Sequence, residues 1–131
     1  MHEAIRNGAV LVYQPQDGGE ESACVSRALN AAWYDAVLNR AAVDGHGRPA
    51  RLALLVADEF QRVITTKGVS DAQYVDRARA LGGACLFASQ SISALRERLP
   101  EGADHPLRAL LNNIGLRIVM ASTDHIVPRE I

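Results

Sequence analysis

The chain has 131 residues, enough for one domain with a hydrophobic core, and its 48% hydrophobic and 22% charged content is typical of a globular protein. Its formal net charge of −1 excludes a global field that would attract nucleic acid or anionic lipid. No run approaches the ~18 consecutive apolar residues of a membrane span, and the N-terminus has no apolar signal region, so the sequence predicts a cytoplasmic chain without a membrane segment.

The first elements along the chain are a strand and an amphipathic helix. Residues 8–13 are apolar and β-prone and end before Pro15, which predicts a buried strand. Apolar side chains then recur at helical spacing from Val25 to Val37, while polar side chains such as Asn30 fall on the opposite face. This pattern predicts a helix whose stripe of apolar residues packs against the core. The stripe contains Val25, Ala28, Leu29, Ala32, Trp33, Ala36 and Val37.

The middle of the chain predicts a strand, a helix and another strand. Residues 51–57 are apolar without alternation, as expected for a central parallel strand covered on both faces. Ser70 is suited to cap a helix that runs through Leu81 and stops at the glycines 82–83. Residues 84–88 predict the next buried strand.

The last predicted elements are two helices and a fourth strand. The helices cover residues 91–99 and a segment from near Pro106 to about Asn112, and the strand covers residues 116–121. Alternating strands and helices predict an α/β fold with a mostly parallel sheet and flanking helices. A complete doubly wound sheet usually has more strands, so residues 1–131 are expected to form a piece of a larger domain.

Two adjacent acids, Asp58 and Glu59, follow the strand predicted at residues 51–57. Ligands of open α/β sheets bind at the carboxyl ends of the strands, and acids there suit a nucleotide–Mg²⁺ site. Asp58 would hold Mg²⁺ through water, and Glu59 would orient or deprotonate the attacking water. Two solvated acids at a turn are an equally good explanation of the pair alone.

The next strand end carries Gln90, and the helix before that strand ends with Arg77 and Arg79. The amide of Gln90 could sense a γ-phosphate, or it could simply cap a helix. Either arginine could reach the phosphates of a neighbouring subunit, or both could be solvated at the helix end. Because the two strands belong to one βαβ unit, Asp58, Glu59 and Gln90 are expected to converge on one crevice.

Taken together, four segments resemble the TraD/TraG type of conjugative coupling protein. In that family a Walker B strand is followed by an arginine–glycine-glycine helix end, a strand end with Gln-Ser and a strand with an Asn…Arg pattern. The matching segments are residues 58–60, 78–83, 88–91 and 113–118, and the similarity spans about residues 8–125.

The resemblance implies an incomplete RecA-like P-loop NTPase domain from a hexameric ATPase that drives single-stranded DNA, and attached protein, into a type IV secretion channel. ATP and Mg²⁺ would be its cofactors, and relaxosome and channel proteins its partners at the cytoplasmic face of the inner membrane. By position, Asp58 would bind Mg²⁺, Glu59 would activate water and Gln90 would sense the γ-phosphate. Arg77 or Arg79 would lie near a subunit boundary.

The departure from the family is the absence of the phosphate-binding loop, G-x-x-x-x-G-K-[ST]. Lys67, the only lysine, follows the acidic pair and has no glycine-rich loop before it. The chain alone is therefore expected to be inactive, as the Walker B part of a larger ATPase. Two other readings stay open: a non-catalytic α/β interaction module or degenerate remnant, and a small Mg²⁺-dependent enzyme that uses Asp58 and Glu59 alone.

Overall fold

The structure is a computed structural model that describes residues 1–15, 19–41, 43, 51–65, 68–99 and 104–120. Its elements, in chain order, are α1 (His2–Asn7), α2 (Glu20–Leu38), β1 (Ala53–Ala57), α3 (Asp71–Ala78), β2 (Gly83–Phe87), α4 (Ile92–Glu97) and α5 (Asp104–Asn113). Short 3₁₀ turns occupy Phe60–Arg62 and Arg79–Leu81. No helix in these ranges has both the length and the apolar character needed to cross a membrane.

The two strands pair in parallel and are connected by α3, so they form one βαβ unit. Ala53 lies opposite Gly83 at one end of the pair, and Ala57 lies opposite Phe87 at the other. The pairing confirms the predicted α/β class with a parallel sheet and flanking helices. The described part of the sheet contains these two strands alone.

The helix between the strands begins after Ser70, as predicted, but its α-helical part ends at Ala78, and the last predicted residues, Arg79–Leu81, form a 3₁₀ turn. The Ser70 hydroxyl accepts a hydrogen bond from the Gln73 N–H, and the Gln73 side chain accepts one from the Ser70 N–H, which completes a capping box. At the other end Gly82 adopts a left-handed conformation with φ of 71°, which glycine reaches without a Cβ clash. The predicted helices near residues 91–99 and 106–112 are also confirmed as α4 and α5.

The hydrophobic core consists of two adjoining clusters on one face of the sheet. The first joins α1, α2, β1 and α3 through Ile5, Tyr34, Ala36, Val37, Ala53, Tyr74 and Ala78. The second joins the turn after β1 to α4 and α5 through Phe60, Ile64, Leu95, Leu107, Leu110 and Leu111. Stacked rings reinforce both clusters, with centroid distances of 4.2 Å for Tyr34–Tyr74 and 4.0 Å for Phe60–Phe87.

The predicted strands at residues 8–13 and 116–121 are wrong for the residues that the structure describes. Gly8 ends helix α1 in a left-handed conformation, and neither residues 9–13 nor 116–120 belong to a strand. Val12 and Met120 are 86% and 82% exposed. A strand needs a neighbour for its N–H and C=O groups, and β-prone composition alone does not provide one. Position 121 lies outside the described residues.

The expectation that residues 51–57 are covered on both faces is also wrong. Leu54, Val56 and Leu86 are 52%, 60% and 58% exposed and lie on the same face of the pair. The other face meets the core through residues such as Leu55 and Cys85. The described helices that contact the sheet therefore cover one side of it.

Helix α2 forms as predicted, and the second half of its predicted stripe packs against the core, with Ala36 and Val37 buried and Trp33 half-buried. Tyr34 and Val37 are fully buried, and Asn30, which falls on the same face, is buried with them. Val25 and Leu29, predicted to face the core, are exposed. The first half of the stripe therefore extends beyond the core cluster that buries its second half.

Candidate functional site

Both strands end at the same edge of the sheet, and this edge collects the polar residues that the sequence singles out. Asp58 and Glu59 follow β1 directly, and Gln90 lies three residues beyond the end of β2. Backbone hydrogen bonds continue past the strands, with Ala88 N–H donating to Ala57 C=O at 2.9 Å and Phe60 N–H donating to Ala88 C=O at 2.8 Å. These bonds hold the two polar turns side by side.

The structure brings the Glu59 carboxylate into direct contact with the Gln90 amide. Gln90 Nε2 lies 3.1 Å from Glu59 Oε1 and 3.2 Å from Glu59 Oε2. A second amide, that of Gln61, donates from Nε2 to Glu59 Oε2 at 2.8 Å. Two glutamine side chains, one from each polar turn, therefore fix the position of the Glu59 carboxylate.

Gln61 is a residue of this site that sequence reasoning missed. Its side chain is buried, and its Oε1 has no partner among the described residues. The sequence offers a weak signal, a polar residue inside the apolar surroundings of Phe60 and Ile64. The direction in which the Gln61 side chain points depends on the left-handed turn at Glu59, and the sequence pattern does not reveal that turn.

The turn itself has an unusual backbone conformation. Glu59 has φ of 51° and ψ of 41°, and it is the one non-glycine residue with positive φ in the described part of the chain. The Glu59 N–H donates to Asp58 Oδ1 at 2.8 Å, which closes the turn. A left-handed conformation costs a glutamate roughly 1–2 kcal/mol relative to ordinary backbone. Residues in such conformations cluster at functional sites.

The Asp58 side chain is exposed at the carboxyl end of β1. A carboxylate there is an oxygen donor of the kind that Mg²⁺ prefers, and Mg²⁺ commonly keeps several waters besides one or two carboxylates. Asp58 therefore fits a water-mediated contact to Mg²⁺. Within the described ranges no three His, Cys, Asp or Glu side chains form a group that could hold a metal ion by themselves.

No protein-family model, no curated protein and no solved structure matches this chain.

Arg77 and Arg79 lie at the other end of β2 from Gln90. Arg77 is in the last turn of α3, Arg79 is in the 3₁₀ turn that follows, and both are exposed. A five-residue strand spans roughly 15 Å, which separates the arginines from the acids of the same chain. Their role toward a neighbouring subunit stays a prediction.

A second polar cluster, buried between α2 and α3, was not predicted. Asp71, 1% exposed, accepts hydrogen bonds from the Tyr34 hydroxyl at 2.5 Å and from the Thr65 N–H at 2.6 Å. Nearby, Trp33 Nε1 donates to the Tyr74 hydroxyl at 3.0 Å. An acid in the first turn of a helix is ordinarily solvated, so the sequence gives no sign of its burial.

Burial dominates the electrostatics of this second cluster. It raises the pKa of Asp71 to about 6, although the hydrogen bonds from Thr65 and Tyr34 act in the opposite direction. Burial, aided by the charge of Asp71, also raises the pKa of the Tyr34 hydroxyl and of the Cys85 thiol. The cluster is enclosed by core side chains on α2 and α3, which makes it a structural feature rather than a second reaction site.

Proposed function

We propose that this chain supplies the Walker B and sensor residues of a RecA-like motor ATPase, of the type that couples ATP hydrolysis to DNA transfer in conjugation. The observation that carries the proposal is the contact between the Glu59 carboxylate and the Gln90 amide at the carboxyl edge of two parallel strands. Ligands of open α/β sheets bind at this edge.

The hydrogen bonds of Glu59 suit the role of a base that activates water. Glu59 Oε2 accepts from both Gln61 and Gln90, whereas Oε1 accepts from Gln90 alone. Each carboxylate oxygen has two lone pairs, so Oε1 retains one that can take a proton from a water molecule. The Gln90 amide lies against that oxygen and would orient the same water.

The strained turn gives further support. A glycine or asparagine would adopt the left-handed conformation at position 59 at lower cost than glutamate. Retaining a carboxylate at this point is more easily explained by the chemistry of the side chain than by the stability of the turn.

ATP and Mg²⁺ would supply the phosphoryl group and neutralise its charge, and Asp58 would hold the cation through water. The sequence contains no G-x-x-x-x-G-K-[ST] loop, so the phosphates would be bound by a loop outside these 131 residues. In the proposed assembly, a homo-hexamer moving single-stranded DNA, Arg77 or Arg79 would approach the site of a neighbouring subunit.

The test begins with the coding sequence directly upstream of Met1. An in-frame phosphate-binding loop there would allow the complete protein to be produced and its ATP turnover measured. Glu59→Gln removes the base but preserves shape, and it should reduce turnover roughly 100-fold or more while nucleotide binding survives. Glu97→Gln, at an exposed position in α4, is the matched control and should turn over like the unchanged protein. Normal turnover by the Glu59 variant would contradict the catalytic assignment.

A non-catalytic interaction module is the second candidate, and the exposed apolar face of the sheet favours it. Leu54, Val56 and Leu86 form a surface that an isolated soluble domain ordinarily covers. An upstream stop codon preceded by unrelated sequence would support this reading. It would leave Glu59 and Gln90 as a hydrogen-bonded pair that joins two turns.

A further inference from the structure

The two glutamines that contact Glu59 lie in different surroundings. Gln61 is 6% exposed and belongs to the 3₁₀ turn after β1, whereas Gln90 is exposed in the segment between β2 and α4. Gln61 Nε2 lies 2.8 Å from Glu59 Oε2, and Gln90 Nε2 lies 3.1 and 3.2 Å from the two carboxylate oxygens. Hydrogen bonds are electrostatically stronger where water is excluded. The Gln61 contact is therefore the more durable of the two.

The turn that carries Gln61 is anchored to the second strand. Phe60, which is 1% exposed, stacks on Phe87 with a centroid distance of 4.0 Å and an angle of 5° between the rings. The Phe60 N–H donates to the Ala88 C=O at 2.8 Å, and the Phe60 C=O accepts from the Val63 N–H at 3.0 Å. Because Gln61 follows Phe60 directly, its backbone has little freedom to move relative to β2.

The Gln61 side chain has one polar atom that its position does not satisfy. Its Oε1 is buried and has no hydrogen-bond partner among the described residues, which costs free energy relative to an apolar side chain. A methionine has a similar length and would fill the same space without that oxygen. What glutamine adds is the Nε2–H donor, and this donor is directed at Glu59. The placement of Gln61 is therefore best explained by the carboxylate that it holds.

Gln90 would have a second acceptor under the proposed function, on which this inference rests. As the sensor of the γ-phosphate, its amide would donate to a phosphate oxygen, yet in the structure Gln90 Nε2 already contacts both oxygens of Glu59. An amide nitrogen carries two hydrogens, so the phosphate and the carboxylate compete for it. Side chains as exposed as Gln90 change rotamer readily. Once Gln90 turns to the phosphate, Gln61 is the described side chain that still holds Glu59.

We propose that Gln61 is the positioning residue of the Glu59 base, and that Gln90 exchanges between Glu59 and the γ-phosphate. The two amides then have separate tasks. The Gln61 amide keeps the carboxylate in place throughout, and the Gln90 amide responds to the presence of the phosphate. Gln61 donates to Oε2 and leaves Oε1 to accept the proton of the attacking water. Because the Gln61 side chain is buried, it acts through the carboxylate and not on the nucleotide.

The test compares ATP turnover by variants of the complete protein. Gln61→Met preserves the length of the side chain but removes the donor, so kcat should fall roughly 10–100-fold while KM for ATP changes less than about twofold. The variant should stay folded, because the buried oxygen is removed together with the hydrogen bond. Gln14→Met makes the same exchange at an exposed position before α2 and should turn over ATP like the unchanged protein.

A double-mutant cycle with Glu59→Gln separates positioning from a purely structural role. In the Glu59→Gln background, Gln61→Met should lower kcat by less than about twofold, because no carboxylate is left to position. A structural role would lower kcat equally in both backgrounds, and that result would overturn the proposal. So would a Gln61→Met variant that turns over ATP normally while Glu59→Gln is slow. Normal turnover by Glu59→Gln would instead contradict the proposed function itself, and the positioning role with it.

The 131-residue chain tests the unequal exchange of the two amides without nucleotide. NMR spectra of the side-chain amides should show hydrogen exchange at Gln61 roughly 10-fold or more slower than at Gln90. Glu59→Gly removes the acceptor but keeps the left-handed turn, which glycine adopts freely, and it should accelerate exchange at Gln61. Equal exchange at the two glutamines would overturn the proposal. So would exchange at Gln61 that is unchanged in Glu59→Gly.

Discussion

The buried carboxyl group of Asp71 should make the protein less stable as the pH rises through the weakly acidic range. Its pKa in the folded chain is about 6, against an ordinary value of 3.8. Between these values the folded state binds more protons than the unfolded state, so the free energy of unfolding falls as the pH rises. The stabilisation that comes from the protonated Asp71 carboxyl group is fully present below pH 3.8 and is lost as the pH rises past 6.

The size of the change in the free energy of unfolding follows from the shift in the pKa of Asp71. A displacement of about two pH units corresponds to roughly 3 kcal/mol, which is on the order of 10 °C in Tm for a domain of this length. Asp71→Asn removes the titration. Its oxygen can accept the Thr65 N–H, and its amide can donate to the Tyr34 hydroxyl, so both contacts keep a partner. The variant should match or exceed the wild type in stability at pH 7.5.

The assay is urea unfolding at a series of pH values from 4 to 7.5, with the difference between variant and wild type as the measured quantity. Asp76→Asn, an exposed acid on the same helix, is the control and should preserve the wild-type profile. If Asp71→Asn and wild type lose stability in parallel as the pH rises, or if Asp71→Asn steepens that loss, the Asp71 carboxyl group is not the source of the pH dependence.

Two further substitutions test the packing. Gly83→Ala should lower the free energy of unfolding by about 1–3 kcal/mol because the new methyl group would overlap Val37, whereas Gly115→Ala, with no atom within 4 Å of the added carbon, should change Tm little. Gln61→Met loses the hydrogen bond to Glu59, but it also removes a buried oxygen that has no partner among the described residues. Because these two effects oppose each other, urea unfolding should give a free energy of unfolding within about 1 kcal/mol of wild type. A larger loss of stability would contradict the hydrogen-bonding pattern assigned to Gln61.

The sequence predicts the βαβ unit well because its signals are local. The Ser70 cap marks the start of α3, and the left-handed Gly82 marks the end of the 3₁₀ turn that follows it; both signals depend on a few neighbouring residues. The apolar runs on either side of this helix are long enough to be strands and too short to be helices. Parallel pairing of β1 with β2 then follows from the single helical crossover.

The sequence predicts the candidate site only in part. Contact between Glu59 and Gln90 follows from topology, because neighbouring parallel strands end at one edge. The contribution of Gln61 does not follow, since it requires the left-handed turn at Glu59. The burial of Asp71 depends on where Tyr34 lies after α2 packs, and periodicity carries no information about such long-range contacts.

The overturned expectations fall in both directions. Residues 9–13, residues 116–120, one face of β1 and the first half of the α2 stripe have patterns typical of buried segments, and in the structure all four are exposed. Conversely, the polar side chains of Asn30, Gln61 and Asp71 are buried, although their polarity predicts exposure. Both kinds of difference come from contacts between segments that are distant along the chain, and hydrophobic periodicity reports only which residues share one face of a single element.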